Sequence, residues 1–358
     1  MKKLKVLLVI GTRPEGIKLF PVYKELKKSP ELFDPLVIAT GQHEELASQI
    51  FKFFNFKPDL SFGVMQKNQT LSTLTLKLIP LLTNAFLGLE PDIVLVQGDT
   101  TSAFIASLAA YYAKVRLGHV EAGLRTHYKF NPYPEEMNRT LISQLAGFHF
   151  APTEIAKQNL LREGIRKEDI FVTGNTIVDA AKGVLEHNIT PNMDKLLPQG
   201  AEDQAIILVT AHRRENFGQP LKNICLALKQ LTETSEKLLI LLPIHLNPNV
   251  QSVFIELSDD ERFPNIKTFP PLSYPEFLFY MTKAYLILTD SGGLVEEASL
   301  LGKPVLILRE VTERPESVNA GIAQVIGTRT QDIYRQTLHL YSCRSDYNRM
   351  AQKKDLYG

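Results

Sequence analysis

The sequence predicts an α/β protein made of two Rossmann-like, doubly wound domains in tandem. Three observations carry this. A chain of 358 residues exceeds what one hydrophobic core ordinarily organises. Short β-rich runs alternate with helical stretches, which is the rhythm of βαβ units and a parallel sheet. Several of these runs are apolar almost throughout, as strands covered by helices on both faces must be.

In chain order, the first strands read "LKVLLVIG", "PLVIAT", "DIVLVQGD", "VRLGHVEA", "FHFAP" and "IFVTGN". The start, "MKKLKVLLVIGTRPE", has the basic-then-apolar outline of a secretory signal. Lys5 interrupts the run, however, and TRPE stands where a small-residue cleavage site belongs. It reads as a first strand, and the chain as cytoplasmic. The polar, proline-containing "GVLEHNITPNMDKLLPQGAEDQ" suits an interdomain connection, so the domains are expected at 1–185 and 186–358. The second series reads "AIILVTAH", "KLLILLPIH", "NIKTF", "AYLILTD", "PVLIL" and "IAQVIGT". No segment is expected to span a membrane.

Composition narrows the partners. With 44% hydrophobic and 22% charged residues and a net charge of +1, the chain has no broad basic field for nucleic acid or anionic lipid, which leaves local anion sites. Cys225 and Cys343 fall on expected helices without a disulfide framework or metal-ligand spacing, and read as packing residues. No metal is expected.

In open parallel sheets, ligands bind outside the carboxyl ends of the strands. The strand exits here carry Gly11-Thr12-Arg13-Pro14-Glu15, then Gly98-Asp99-Thr100-Thr101, then His119, Glu121 and Arg125. In the second series they carry His212-Arg213-Arg214-Glu215-Asn216, His245-Leu246-Asn247, Asp290-Ser291-Gly292-Gly293, and Arg309, Glu313 and Arg314. Simple loops are polar too, but richer in Ser, Asn and Lys than in Arg, His and paired carboxylates. If the two edges face each other, the cleft between the domains is the active site.

Glycines just before a helix let backbone N–H groups and the positive helix end approach an anion. A phosphate fits the Ser291-Gly292-Gly293 turn, with Ser291 adding a hydroxyl. Glu297, or less readily Glu296, one turn into the helix would accept ribose hydroxyls; the alternative is simple complementation of the helix dipole. Arg13 and Lys18 of "GTRPEGIK" would meet a second anionic or carbonyl group. Glu135 and Glu136 of "PYPEEMNR" are either helix-start residues or proton carriers. With Asp99, Glu121 and His212 they offer the groups that general acid–base chemistry needs.

"GTRPEGIK", "QGDTTS", "HVEAGLRT", "PEEMNR", "TGNT", "HRRENFG", "PIHLNPNV", "LTDSGG" and "GKPVLILREVTERPE", in this order, resemble the non-hydrolysing UDP-N-acetylglucosamine 2-epimerases of bacteria. The resemblance spans nearly the whole chain. It implies a glycosyltransferase-B-like pair of Rossmann domains, a UDP-sugar substrate, a homodimer, and interconversion of UDP-GlcNAc and UDP-ManNAc without nicotinamide cofactor. By the same resemblance, the C2 proton is removed and UDP leaves C1 to give a 2-acetamidoglucal. UDP then re-adds, with protonation on the other face. Asp99, Glu121 and Glu135 match the family's catalytic carboxylates, and His212 its histidine near the diphosphate. Arg13, Lys18, Ser291, Gly292, Gly293, Glu297 and Arg314 match UDP-contacting positions, with Leu272 and Phe277 of "PLSYPEF" at the uracil. The first strand turn lacks the GxGxxG fingerprint, in keeping with a cofactor-free route.

Two departures stand out. Many bacterial members are activated by a second UDP-GlcNAc. Here Glu44 and Asn68 replace expected basic positions, while Gln42, Glu136, Arg213 and His245 remain, so weakened or altered activation is expected. Family members also usually continue past a "PYG" segment into a final helix, whereas this sequence ends at "DLYG": either it is a piece of a longer chain or the last helix is missing, and without that helix closing motion or stability would suffer. A related epimerase acting on a UDP-diacetamido-uronic acid would keep nearly all these motifs. A sugar transferase would need an acceptor pocket and often a basic or apolar membrane-facing patch, neither of them evident. A non-catalytic UDP-sugar sensor is opposed by intact Asp99, Glu121, Glu135 and His212, and a hydrolysing epimerase by "GTRPEGIK".

Overall fold

In the computed structural model, which describes residues 2–41, 51, 53–64, 69–186, 197, 201–257 and 260–358, the chain divides into two α/β units. Unit 1 comprises Met1–Ala180 with Tyr357–Gly358, and unit 2 comprises Ala181–Leu356. The chain passes from one to the other inside the helix Thr176–Glu186.

The strands of unit 1 are β1 (Leu4–Ile10), β2 (Phe33–Ala39), β3 (Leu60–Ser61), β4 (Ile93–Gln97), β5 (Arg116–Val120), β6 (Phe148–Ala151) and β7 (Ile170–Val172). They form one sheet in the order β3-β2-β1-β4-β5-β6-β7, and every pairing is parallel. Val6 to Ile10 are all buried, as a strand packed by helices on both faces requires. Unit 2 holds β8 (Ala205–Thr210), β9 (Leu238–Pro243), β10 (Ile266–Phe269), β11 (Leu286–Thr289), β12 (Val305–Ile307) and β13 (Ala323–Val325). Their order is β10-β9-β8-β11-β12-β13, again parallel throughout. The fold class is therefore the expected one. The two-residue β3 went unread because a bridge that short carries no periodicity.

In both sheets the strand order reverses next to the first strand, between β1 and β4 in unit 1 and between β8 and β11 in unit 2. Loops leaving a sheet at such a switch point diverge and open a crevice. The exits of β1, β4, β8 and β11 are the glycine-rich and charged loops singled out from the sequence.

The helix Leu71–Leu89 is long and apolar enough to cross a membrane by length and composition alone. In unit 1, Leu74, Leu78, Leu82 and Phe86, at fourfold spacing, are buried in the core beside Ala103, Ala106 and Ala110 of the helix Thr101–Tyr112. Full burial of each such side chain is worth roughly 1.5–3 kcal/mol, and the small alanines let the two helices approach. In unit 2 the helix Gln219–Thr234 does the same with Leu221, Ile224, Leu228 and Leu231 against Ile207, Val209 and Ile240.

The residues Tyr357–Gly358 pack within unit 1. Tyr357 is buried and its carbonyl accepts the Asn175 N–H. Gly174, at φ +76°, permits this, since a Cβ there would lie 2.7 Å from the Tyr357 carbonyl oxygen.

Candidate active site

At the unit 1 switch point, Thr12 caps the helix Arg13–Lys27 and Glu15 closes a capping box. The Glu15 carboxylate accepts the N–H groups of Gly11 (2.9 Å) and Thr12 (2.5 Å) and the Thr100 hydroxyl (2.6 Å). Thr100 in turn caps the helix Thr101–Tyr112 by accepting the Ala103 N–H at 3.0 Å. Glu15 thus ties the β1 exit to the β4 exit that carries Asp99. Its own burial pushes its pKa up to about 7, against the lowering effect of these donors. The loops meet closely enough that a Cβ on Gly11 would fall 2.4 Å from the Ser102 Cβ.

Glu121 leaves β5 in the left-handed region, at φ +67°, a conformation disfavoured for a residue with a side chain. Its buried carboxylate is paired with the Lys18 ammonium and accepts the Asn175 side-chain amide at 2.7 Å. A Cβ on Gly98 would lie 3.9 Å from Glu121 Oε1, so this carboxylate sits beside the backbone just before Asp99. Asp99 is paired with Arg139 at 2.7 Å, and its backbone carbonyl accepts the Asn138 amide at 2.9 Å. His119, next to Glu121, donates from Nε2 to the Gly98 carbonyl at 2.8 Å; burial lowers its pKa to about 3, so it is a neutral structural brace.

Glu135 is half-buried at the first position of the helix Glu135–Leu145, at the positive helix end. Two cis prolyl bonds, Asn131–Pro132 and Tyr133–Pro134, precede it. Glu136, expected at an activator site, is buried. It accepts the N–H groups of Thr126 (3.0 Å) and His127 (2.8 Å) and faces Arg139 at 3.6 Å. Arg13 is half-buried at the first position of its helix.

In unit 2 the organising residue is Asp290, fully buried at the β11 exit. Its Oδ2 accepts the N–H groups of His212 and Arg213, both at 2.8 Å, and the Asn216 amide at 3.0 Å. One carboxylate therefore fixes the whole β8 exit. Ser291 occupies the N-cap of the helix Gly292–Leu301 without a side-chain capping bond, and its N–H goes to the Thr289 hydroxyl at 2.9 Å. A Cβ on Gly292 would lie 2.3 Å from Arg314 Nη1 and 2.5 Å from Glu313 Oε1.

Arg314, expected at UDP, is held by Glu296 (2.6 Å) and Glu313 (2.7 Å), and Glu313 also accepts Arg309 at 2.7 Å. A buried guanidinium requires such partners. Glu296 is committed to this pair, and Glu297 is buried one position on. Leu272 and Phe277 are half-buried on either side of Ser273, which forms a capping box with Glu276 at the head of the helix Tyr274–Lys283.

His212 retains 36% side-chain exposure, and its Nδ1 lies 3.6 Å from Asp290 Oδ1. Burial lowers its pKa, Asp290 and Glu215 pull it up, and Arg213 pushes it down. The exposed His245 ring stacks on His212 at 5.1 Å, with 12° between planes. Arg213 Nη2 lies 4.0 Å from Glu313 Oε1.

The structure thus brings Lys18 to Glu121 and Glu136 to Asp99 through Arg139 in unit 1, and His212 to His245, Arg213 and Asp290 in unit 2. Gln42, Glu44 and Asn68 lie outside the described residues. Sequence reasoning assigned no role to Glu15, Asn175 or Asp290. All three stand in quoted motifs, "GTRPEGIK", "TGNT" and "LTDSGG", but their partners are remote in sequence. Cys343 is also corrected: it stands between two helices rather than on one, and its sulfur shares a 4.8 Å cluster of potential ligand atoms with His339 and Asp346. That carboxylate is already engaged by His339 (2.6 Å) and Arg349 (3.0 Å).

Comparison with known proteins gives a consistent picture. A family model described as UDP-N-acetylglucosamine 2-epimerase matches residues 24–358. The UDP-N-acetylglucosamine 2-epimerase of Bacillus subtilis is 44% identical over 359 residues, covering 100% of this chain and 92% of that protein. The crystal structure of UDP-GlcNAc 2-epimerase from Neisseria meningitidis bound to UDP-GlcNAc has a TM-score of 0.95 at 43% identity, covering 99% of this chain and 96% of that one. The Methanocaldococcus jannaschii UDP-GlcNAc 2-epimerase in complex with UDP-GlcNAc and UDP has a TM-score of 0.87 at 34% identity, with 99% and 96% coverage.

Proposed function

The chain belongs to the UDP-N-acetylglucosamine 2-epimerase family, and from that premise we propose that it interconverts UDP-GlcNAc and UDP-ManNAc in the cytoplasm, without hydrolysis. The C2 proton is taken by a carboxylate as the C1–O bond to UDP breaks, leaving a 2-acetamidoglucal and UDP. Re-addition of UDP at C1, with proton delivery to the opposite face of C2, completes the epimerisation. Asp99, Glu121 and Glu135 are the proton carriers. Lys18 and Arg139 hold Glu121 and Asp99 in place. In unit 2, Ser291, Gly292 and Gly293 receive the diphosphate, Glu297 the ribose, and Leu272 and Phe277 the uracil. Arg13, Lys18, His212 and Arg314 are the further substrate contacts. Preorganised N–H groups and cations at a departing diphosphate act where negative charge grows, which is where an elimination most needs them.

The observation that carries this reading is Glu121: a carboxylate held at a strained backbone position and buried against a lysine and an amide, at the carboxyl edge of a parallel sheet. A packing role alone would not require a charge there. The test is incubation with UDP-GlcNAc and resolution of the products. UDP-ManNAc is expected. Free ManNAc would favour hydrolysis, and no turnover would favour a UDP-diacetamido-uronic acid substrate or a sensor. Asp99→Asn and His212→Ala should each lower turnover by about two orders of magnitude or more with circular dichroism unchanged.

A homodimer is the assembly we propose, on the family resemblance. Leu76, Leu87, Tyr111 and Tyr112, exposed on the helices Leu71–Leu89 and Thr101–Tyr112, supply apolar surface that a second copy would cover.

A further inference from the structure

The parallel register of β8 and β9 pairs Leu208 with Leu241. The same offset, continued past the strand ends, aligns His212 with His245, and their rings stack at 5.1 Å with 12° between planes. His245 Nδ1 accepts the Asn247 N–H at 3.0 Å. A neutral imidazole whose Nδ1 accepts carries its hydrogen on Nε2, and an imidazolium has no lone pair to accept with. Protonating His245 would therefore break this bond and, if His212 were also charged, place two cations face to face. His212 is placed oppositely. Its Nδ1 faces Asp290 Oδ1 at 3.6 Å, an arrangement that favours a hydrogen on Nδ1 and tolerates a positive ring. The titratable and charged groups around His212 are Asp290, Arg213, Glu215 and His245.

We propose that His245 is a positioning residue for His212: by stacking on its ring while accepting the Asn247 N–H, it stays neutral, shields the ring from water and leaves any proton the pair binds on His212. The inference rests on the reading of His212 as part of the reaction site. Two stacked imidazolium rings would repel, so the stack favours one charged member, and Asp290 beside Nδ1 selects the edge the His212 ring presents.

The experiment is histidine-selective isotope labelling of the full chain, with the His212 signals identified by their loss in His212→Gln. The ring's titration midpoint is then followed without substrate. His245→Ala exposes the ring to water, so the midpoint should rise by about one pH unit, toward the ordinary value. His245→Phe keeps an aromatic wall and should move it by less than about 0.3 unit. With UDP-GlcNAc, the limb of the kcat profile that follows His212 should shift with the midpoint in His245→Ala. A midpoint unmoved by His245→Ala, or moved equally by both variants, overturns the inference. Wild-type protein that forms no UDP-ManNAc would instead refute the functional reading, and the substrate-free titration would still decide this one.

Discussion

Glu15 combines an unusual set of constraints for one side chain: hydrogen-bond donors that favour its charged form and a burial that opposes it. The burial prevails, raising the pKa from 4.5 to about 7. The folded state therefore holds the proton more tightly than the unfolded chain. The stability this contributes is complete below about pH 4.5 and is lost as pH rises through about 7. Unfolding free energy measured in urea should fall by roughly 1–3 kcal/mol between about pH 5 and about pH 8 from this group. Glu15→Gln, which keeps an acceptor oxygen but does not ionise, should flatten that part of the profile. An unchanged pH dependence in the variant would show that Glu15 is not the responsible group.

At the scale of the element, both sheets use the same device: a buried acid at the switch point gathers backbone N–H groups from one strand exit and fastens a neighbouring one. Glu15 joins the exits of β1 and β4, and Asp290 those of β8 and β11. The Gly292 turn depends on having no side chain, since any Cβ there would displace Arg314 and Glu313. Gly292→Ala should raise the dissociation constant for UDP at least about tenfold while circular dichroism shows the fold retained; calorimetric titration with UDP measures this. Wild-type affinity would separate the turn from nucleotide binding. The strands themselves were legible, because parallel strands covered on both faces are written as continuous apolar runs. Their exits were legible because glycine, proline and charged residues interrupt those runs. The partners were not. Nothing local says that Asn175 reaches Glu121, that Asp290 takes three donors from the β8 exit, or that Glu136 fastens the 126–127 turn instead of presenting its carboxylate. Those pairings are set by sheet order, which periodicity does not encode. The helix Leu71–Leu89 shows the converse limit: its apolar stripe is visible in sequence, whereas what covers it is a property of the fold.

At the scale of the molecule, the chain crosses between its two compact units twice, once within the helix Thr176–Glu186 and again before Tyr357. The second crossing seats Tyr357 in unit 1, where its carbonyl fixes Asn175, the residue whose amide holds Glu121. Tyr357→Ala should cost roughly 3–5 kcal/mol of stability, the range for removing a buried aromatic ring. Denaturant unfolding of the full chain reads this, and a loss below about 1 kcal/mol would mean the ring contributes little packing. In the proposed reaction, hydrogen at C2 is exchanged while UDP departs and returns. This exchange is tested most directly by supplying UDP-GlcNAc to the protein in deuterium oxide and reading the product by proton NMR. The prediction is UDP-ManNAc carrying deuterium at C2; UDP-ManNAc that retains its original C2 proton, or free ManNAc with UDP, would contradict it.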